Sequence, residues 1–227
     1  MPTPTDPPTS PPPESNRKFL LGMVGLFLGV LVLGAGAMMW LGGSTPMGPV
    51  IGGAFALTDA DGERFTDQDL RESYALVYFG YTFCPDVCPT TLNQVTEALD
   101  RLGPEALKIR PVFITIDPRR DTPAIMKQYV SAFSPRLIGL TGSEAEIATV
   151  AREFRVYYAP HRTGNGPGDY TMDHSSVLYL LGPDGHFLAP LRADDSAEQI
   201  AAELSRQLPQ LSKKTPALQK TMTGAKS

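Results

Sequence analysis

From Phe19 to Gly42 the chain carries 24 consecutive residues without a charge, FLLGMVGLFLGVLVLGAGAMMWLG. No other feature limits the possible architectures so strongly. A helix rising ~1.5 Å per residue needs about 20 apolar residues to cross a hydrocarbon layer of ~30 Å. A core helix of a soluble domain would keep a polar face, and this segment has none. Residues 19–42 are therefore expected to form a transmembrane anchor. The competing reading is a cleaved signal peptide, because Ala35-Gly36-Ala37 follows the apolar stretch Phe19–Leu33 as a cleavage site would. The apolar run continues through Met38, Met39, Trp40 and Leu41 beyond that point, which favours an uncleaved anchor.

The flanks orient the anchor. Arg17 and Lys18 abut its N-terminal end, whereas the first basic residue on the far side is Arg64. Positive charge stays inside, so residues 1–18 are expected in the cytoplasm and the remainder across the membrane. Seven of the first thirteen residues are Pro, and such a segment forms neither helix nor sheet; residues 1–18 read as a disordered Pro-rich tail. The tail carries Asp6 and Glu14, unlike an Arg-rich, acid-poor transit peptide, so a bacterial inner-membrane protein with a periplasmic domain is expected. Residues 212–227 hold four Lys and no acid and read as a basic, flexible tail. Between the tails, residues 50–211 hold 22 acids against 14 bases, and the whole chain has net charge −4. This balance excludes nucleic-acid binding by bulk positive charge.

Residues 43–211 are long enough for one domain with its own core. Phe55–Thr58 and Arg64–Thr66 flank the turn Asp59-Ala60-Asp61-Gly62 as a hairpin. Ala75–Tyr81 and Val112–Ile116 are continuous apolar runs, the pattern of strands buried on both faces. Between them Pro89 opens a helical pattern with Leu92, Val95, Leu99 and Leu102 on one face, which Gly103-Pro104 stops. Asp121 or Thr122 can cap a second helix, with Pro123 at its first position and Ile125, Tyr129, Val130 and Phe133 facing the core. After a short strand at Ile138–Leu140, Ser143 and Glu146 have capping-box spacing before a helix whose apolar face is Ile147, Val150, Ala151 and Phe154. Arg155–Tyr158 reads as a short strand, Val177–Leu181 and Phe187–Leu191 as a hairpin, and Ser196–Leu208 as the last helix. Strands alternating with helices imply an α/β fold with a mixed sheet. A strand, a cysteine loop and a helix near the start, closed by a hairpin and a helix, is the order of the thioredoxin-like fold.

The only two cysteines share one loop, Tyr81-Thr82-Phe83-Cys84-Pro85-Asp86-Val87-Cys88-Pro89, at a helix mouth. The partial positive charge and free N–H groups of a helix N-terminus favour thiolate. Two sulfurs exclude a four-thiolate zinc site. The three intervening residues let both sulfurs meet one metal ion and also permit a disulfide, so metal site and redox pair both stay open. A static disulfide or two structural thiols are less favoured, because the prolines and the helix mouth suit activated thiols. Two soft sulfurs select Cu(I) or Zn, and one imidazole would complete a three-coordinate site. His186 lies in a turn and His161 in a Gly-rich loop, whereas His174 directly precedes the apolar run Val177–Leu181, where the scaffold can hold it. Spacing alone leaves His174 balanced between ligand and ordinary structural histidine. Asp173 can orient His174. Asp86 suits the loop itself, and Tyr81 and Phe83 suit packing or shielding of the site. Asp117, Arg119, Arg120 and Asp121 read as a polar strand-to-helix turn, with a docking surface as the alternative.

Three segments carry a resemblance. GYTFCPDVCPTTL (Gly80–Leu92), ITIDPRRDTP (Ile114–Pro123) and YTMDHSSVLYLL (Tyr170–Leu181) resemble the signature segments of the SCO/SenC family, membrane-anchored copper proteins of thioredoxin-like fold that serve cytochrome c oxidase assembly. The resemblance covers roughly residues 50–210 together with the anchor. It implies that Cys84, Cys88 and His174 are copper ligands, for Cu(I), Cu(II) or both, and that the two cysteines double as a redox pair. It further implies delivery of copper to the binuclear site of oxidase subunit II or, alternatively, reduction of that subunit's cysteines, with another copper chaperone or a thiol reductant as a further partner. A metal-binding chaperone is expected rather than an enzyme. The segment before His174 lacks the proline that ordinary thioredoxins carry beside their cysteines, which weakens a general disulfide-oxidase reading.

Overall fold

The computed structural model describes residues 14–41, 51–166 and 168–212, with side chains described at 21–34, 51–166 and 168–208. Two compact units, Met1–Pro49 and Val50–Ser227, make up the chain. The described part of the first is helix α1, Glu14–Leu41, whose described side chains are all exposed. Among the described residues no helix is long and apolar enough to cross a membrane. The ends of the anchor expected at 19–42 fall outside the described side chains. Residues 1–13 of the Pro-rich tail and 213–227 of the basic tail lie outside the described residues altogether.

The second unit is a mixed α/β domain. Its strands are β1 (Ala56–Asp59), β2 (Arg64–Thr66), β3 (Tyr74–Gly80), β4 (Ile109–Thr115), β5 (Ile138–Thr141), β6 (Tyr158–Arg162), β7 (Tyr170–His174), β8 (Val177–Leu181) and β9 (Phe187–Arg192). Its helices are α2 (Val87–Leu102), α3 (Pro123–Ser131), α4 (Glu144–Glu153) and α5 (Ala197–Ser212). Seven strands form one sheet in the order β2-β1-β5-β4-β3-β8-β9. β3 pairs in parallel with β4 from Tyr74 opposite Ile109 to Gly80 opposite Thr115, and antiparallel with β8 on its other side. Every residue of β3 is buried, as its unbroken apolar sequence requires of a central strand. β6 and β7 pair only with each other, in a separate two-stranded ribbon.

Most elements fall where the sequence pattern put them, and the departures have local causes. α2 begins at Val87, two residues before Pro89, so Cys88 lies within the first helical turn. Thr122 caps α3, its Oγ1 accepting from the Ile125 N–H at 3.4 Å, while Asp121 is fully buried with other work to do. Ile125 does not face the core: it is 42% exposed, and Met126 and Val130 set the buried stripe of α3 instead. Arg155 belongs to no strand. It takes a left-handed φ of 55° at the end of α4, where the Val156 N–H reaches back to the Ala151 carbonyl at 2.8 Å to close the helix. The strand therefore starts at Tyr158 and runs to Arg162, and His161 is an exposed strand residue. Gly164, Gly166 and Gly168 lie at the end of the β6–β7 ribbon remote from His174, because His174 pairs with Tyr158 and Tyr170 with Arg162. The Ser143–Glu146 capping box is present, with Ile147, Val150, Ala151 and Phe154 buried behind it.

Candidate metal centre

β3 delivers the cysteine loop. Gly80 ends the strand and has no room for a side chain: a Cβ there would come within 2.7 Å of the Cys88 Sγ and 2.8 Å of the Phe113 ring. The chain then turns, with the Cys84 N–H donating to the Tyr81 carbonyl at 3.2 Å. Asp121 fixes the turn from beneath. Its carboxylate accepts from the Thr82 N–H at 3.0 Å, the Thr82 hydroxyl at 2.6 Å and the Thr115 hydroxyl at 2.5 Å. Burial raises its pKa, and these three donors offset part of that rise without reversing it.

Cys88 is fully buried and Cys84 half-buried, and both are free thiols. The Cys88 N–H, unpaired within the helix because it lies in the first turn, donates to the Cys84 Sγ at 3.4 Å. The pair shares protons unequally. A hydrogen bond from the Cys88 thiol outweighs partial burial and, with further donors at His174 and the Cys88 and Asp86 backbone, lowers the Cys84 pKa to about 3. The Cys84 sulfur as acceptor, and burial, push the Cys88 thiol well above its ordinary range. The two sulfurs thus release their protons in separate steps, the first from Cys84.

β7 delivers the histidine from the separate ribbon. His174 places its Nε2 3.7 Å from the Cys88 Sγ. Its Nδ1 lies 3.1 Å from the Ser175 carbonyl, which can only accept, so Nδ1 carries a hydrogen and Nε2 is the ring nitrogen that faces the sulfur. Asp173 does not orient His174. Neighbouring strand residues point to opposite faces, and Asp173 is exposed on the other one. Tyr81 and Tyr78 stand edge-on to the imidazole with centroids at 6.2 and 6.1 Å. The Tyr78 hydroxyl is also 3.9 Å from the Cys88 Sγ. Tyr81 is buried as expected, whereas Phe83 is 66% exposed. Asp86 remains in the loop, accepting from the Thr90 hydroxyl at 3.3 Å.

The arrangement suits a soft metal ion. Two donor atoms bound ~2.0–2.3 Å from one ion at a wide angle lie roughly 3.3–4 Å apart, which brackets the 3.7 Å between Cys88 Sγ and His174 Nε2. Among the described residues no three His, Cys, Asp or Glu side chains already close into a metal-holding group. His161 and His186 are exposed and stand in strand and turn positions outside these contacts.

The SCO1/SenC family model matches residues 44–209. This chain belongs to that family. An SCO2-like protein of Rickettsia prowazekii is 41% identical over 183 residues, covering 75% of this chain and 89% of the relative. The human mitochondrial SCO1 homolog is 42% identical over 173 residues, 74% of this chain and 56% of its own length. Among solved structures, Bradyrhizobium japonicum ScoI with copper bound is 48% identical with a TM-score of 0.64, covering 69% of this chain and 99% of that one. Yeast Sco1 with copper bound is 34% identical with a TM-score of 0.67, covering 76% and 94%.

Three contributors to the candidate centre have no signal in the sequence pattern that marks them on its own. The Ser175 carbonyl is a backbone atom with no side-chain signature. Tyr78 has a signal in strand alternation, which puts it on the same face as Gly80 and therefore beneath Cys88. The ITIDPRRDTP segment is not a plain polar turn. Asp117 and Asp121 are buried, and of its four charged residues only Arg119, paired with Glu144 at 2.8 Å, is exposed.

Proposed function

We propose that this chain is a membrane-anchored copper chaperone. In this reading Cys84, Cys88 and His174 hold one copper ion, which is passed to the binuclear copper site of cytochrome c oxidase subunit II during oxidase assembly. The supporting observation is the convergence of a two-sulfur loop and an imidazole whose Nδ1 meets a backbone carbonyl, carried by different sheets, with Cys88 Sγ and His174 Nε2 3.7 Å apart. The copper-bound relatives and their family support the choice of copper over zinc. The test is X-ray absorption on the copper-loaded full chain in detergent. Two sulfurs and at least one nitrogen are expected, with the nitrogen lost in His174→Ala. A four-sulfur shell, or copper retention unchanged in His174→Ala, overturns the proposal.

The uncharged run 19–42 with Arg17 and Lys18 at one end supports an inner-membrane anchor, with residues 43–211 in the periplasm. Carbonate-washed membranes are expected to retain the full-length chain, and a mature N-terminus at Met38 overturns the anchor.

One observation favours a second activity of the same residues, the reduction of the cysteines of subunit II. Cys84 is reachable and inclined to thiolate, while Cys88 is buried and protonated, the division of labour between an attacking and a resolving thiol. Cys84 would attack a target disulfide, and Cys88 would then displace the target as a dithiol. The chain would be left with a Cys84–Cys88 disulfide, to be reduced by an external dithiol. That disulfide has no thiolate to offer a metal, so copper uptake is expected to rise on reduction and bound copper to slow thiol oxidation.

A further inference from the structure

The two sulfurs and the imidazole come from separate parts of the fold, and the contact between those parts is sparse. The β6–β7 ribbon shares no strand pairing with the main sheet. A cavity of about 390 Å³ separates it from the body, with Tyr158, Pro160 and Tyr170 on the ribbon side and Asp117, Arg119 and Glu144 opposite. Apart from this cavity, the half-buried Arg120 bridges the ribbon and the cysteine loop directly. Its guanidinium lies 3.8 Å from the centroid of Tyr170, at the start of β7, and 4.8 and 5.7 Å from those of Phe83 and Tyr81 in the cysteine loop. Its Nη1 donates to the Tyr170 carbonyl at 3.0 Å, and its Nε is paired with the buried carboxylate of Asp117. Asp117 in turn accepts from the Tyr170 hydroxyl at 2.9 Å. The remaining nitrogen, Nη2, is buried without a hydrogen-bond acceptor. Ring faces therefore hold much of this cation.

We propose that Arg120, seated on Asp117, is a positioning residue of the copper site, clamping the ribbon that carries His174 against the loop that carries Cys84 and Cys88. The inference rests on the copper-holding reading above. The planar guanidinium is what the place requires: it stacks on rings of both segments while reaching a backbone carbonyl and a carboxylate at its edges. A lysine there keeps the charge and loses the stacked plane. Arg119, next in sequence but exposed and paired with Glu144, touches neither segment's site residues and serves as the control.

The test is a double-mutant cycle for copper affinity on the full chain in detergent, with His174→Ala, Arg120→Ala, Arg120→Lys and the pair Arg120→Ala/His174→Ala. Residues that orient a metal ligand typically contribute about 10- to 100-fold in affinity, and a loss in that range is expected for Arg120→Ala, with only partial rescue in Arg120→Lys. The double variant is expected to bind no more weakly than His174→Ala alone, because a residue that acts through His174 has nothing to act on once the imidazole is gone. In the metal-free protein, amide hydrogen exchange should quicken at residues 158–174 in Arg120→Ala and stay unchanged at β3 and β4. Arg119→Ala should change neither. Losses that add in the double variant, or unchanged affinity in Arg120→Ala, overturn the clamp, as does exchange that quickens throughout the domain. Failure of His174→Ala to weaken copper binding overturns the chaperone reading itself, and so is told apart from failure of the clamp.

Discussion

β3 and β7 each end at the candidate metal centre, yet they are built in opposite ways. β3 is the centre of a seven-stranded sheet, paired on both sides and buried along its whole length. β7 has one partner, β6, and of its five residues only Met172 is buried. The sulfurs thus inherit the rigidity of the core, through Gly80 and the Asp121 network. The imidazole is held by a ribbon that joins the body through buried Met172, the packing of Tyr158 and Tyr170 on the core, and the polar and stacking contacts of Arg120, without any strand pairing. Local stability follows buried contact and paired backbone, so the ribbon is the part expected to open first. In the proposed chaperone, which would hold an ion and then release it, this division leaves the two-sulfur half fixed and the third donor movable.

The largest effect should come from the rigid half. Replacing either sulfur, Cys84→Ser or Cys88→Ser, is expected to abolish copper retention through a desalting column, whereas His174→Ala should weaken it while leaving a two-sulfur site. Equal loss in all three would mean that the ribbon is as indispensable as the core, and the contrast between them would fail.

Next is Gly80→Ala, which tests the junction between core and site. The new methyl group would meet Cys88 Sγ and Phe113 within 2.8 Å, a forced overpacking expected to cost about 1–3 kcal/mol in denaturant unfolding. The displaced Cys88 should also lower copper affinity. A variant with wild-type stability and affinity would show that the junction is pliable.

The core half of the site was legible in the sequence because its signals are local. ALVYFGY reads as a buried strand, the two cysteines share its exit loop, and the Pro at 89 marks the helix to within two residues. The ribbon was not legible. Tyr158–Arg162 has exposed residues and a Pro within it, so no periodicity declares it, and its pairing with β7 is tertiary information. The same holds for the ITIDPRRDTP segment. Its charges look like those of any solvated turn, and only the fold reveals that Asp121 sits under the cysteine loop while Arg120 reaches the ribbon. Ile125 failed for a related reason: on a short helix, two overlapping apolar stripes were available, and packing of Met126 and Val130 against Gly139 of β5 decided between them.

A smaller effect concerns pH and belongs to the core half alone. In the metal-free, reduced protein the Cys84 pKa falls from the ordinary 9.0 to about 3. Between those values the unfolded chain holds a proton there that the folded chain has released, so this group's stabilisation grows as pH rises and is lost as pH falls toward 3. Cys88 has the opposite sign: its raised pKa contributes below 9.0 and its share is lost as pH rises above that value. Melting temperatures of wild type and Cys84→Ser should therefore diverge from pH 4 to pH 8, modestly, since Cys84 is half-exposed and screened by water. Alkylation at pH 6 should label Cys84 and spare Cys88. Equal labelling of both would remove the asymmetry on which the reductase reading depends.

The smallest change in global stability is expected at the far end of the ribbon. Asp169 is exposed, and its carboxylate accepts from the Gly166 N–H at 2.8 Å, while its backbone carbonyl accepts from the Thr163 N–H at 2.9 Å. Asp169→Ala removes the first of these and keeps the second, so the turn loses one side-chain tie. Surface changes of this kind usually fall within about 0.5 kcal/mol. If the ribbon opens separately from the seven-stranded sheet, the melting temperature should barely move while amide exchange at residues 158–174 accelerates, since the lost tie affects only the local opening equilibrium. A drop of several degrees, with exchange raised equally in β3 and β4, would mean that ribbon and sheet unfold as one unit. The imidazole would then have no independent freedom to leave the ion, and release would have to begin at Cys84, the half-exposed sulfur.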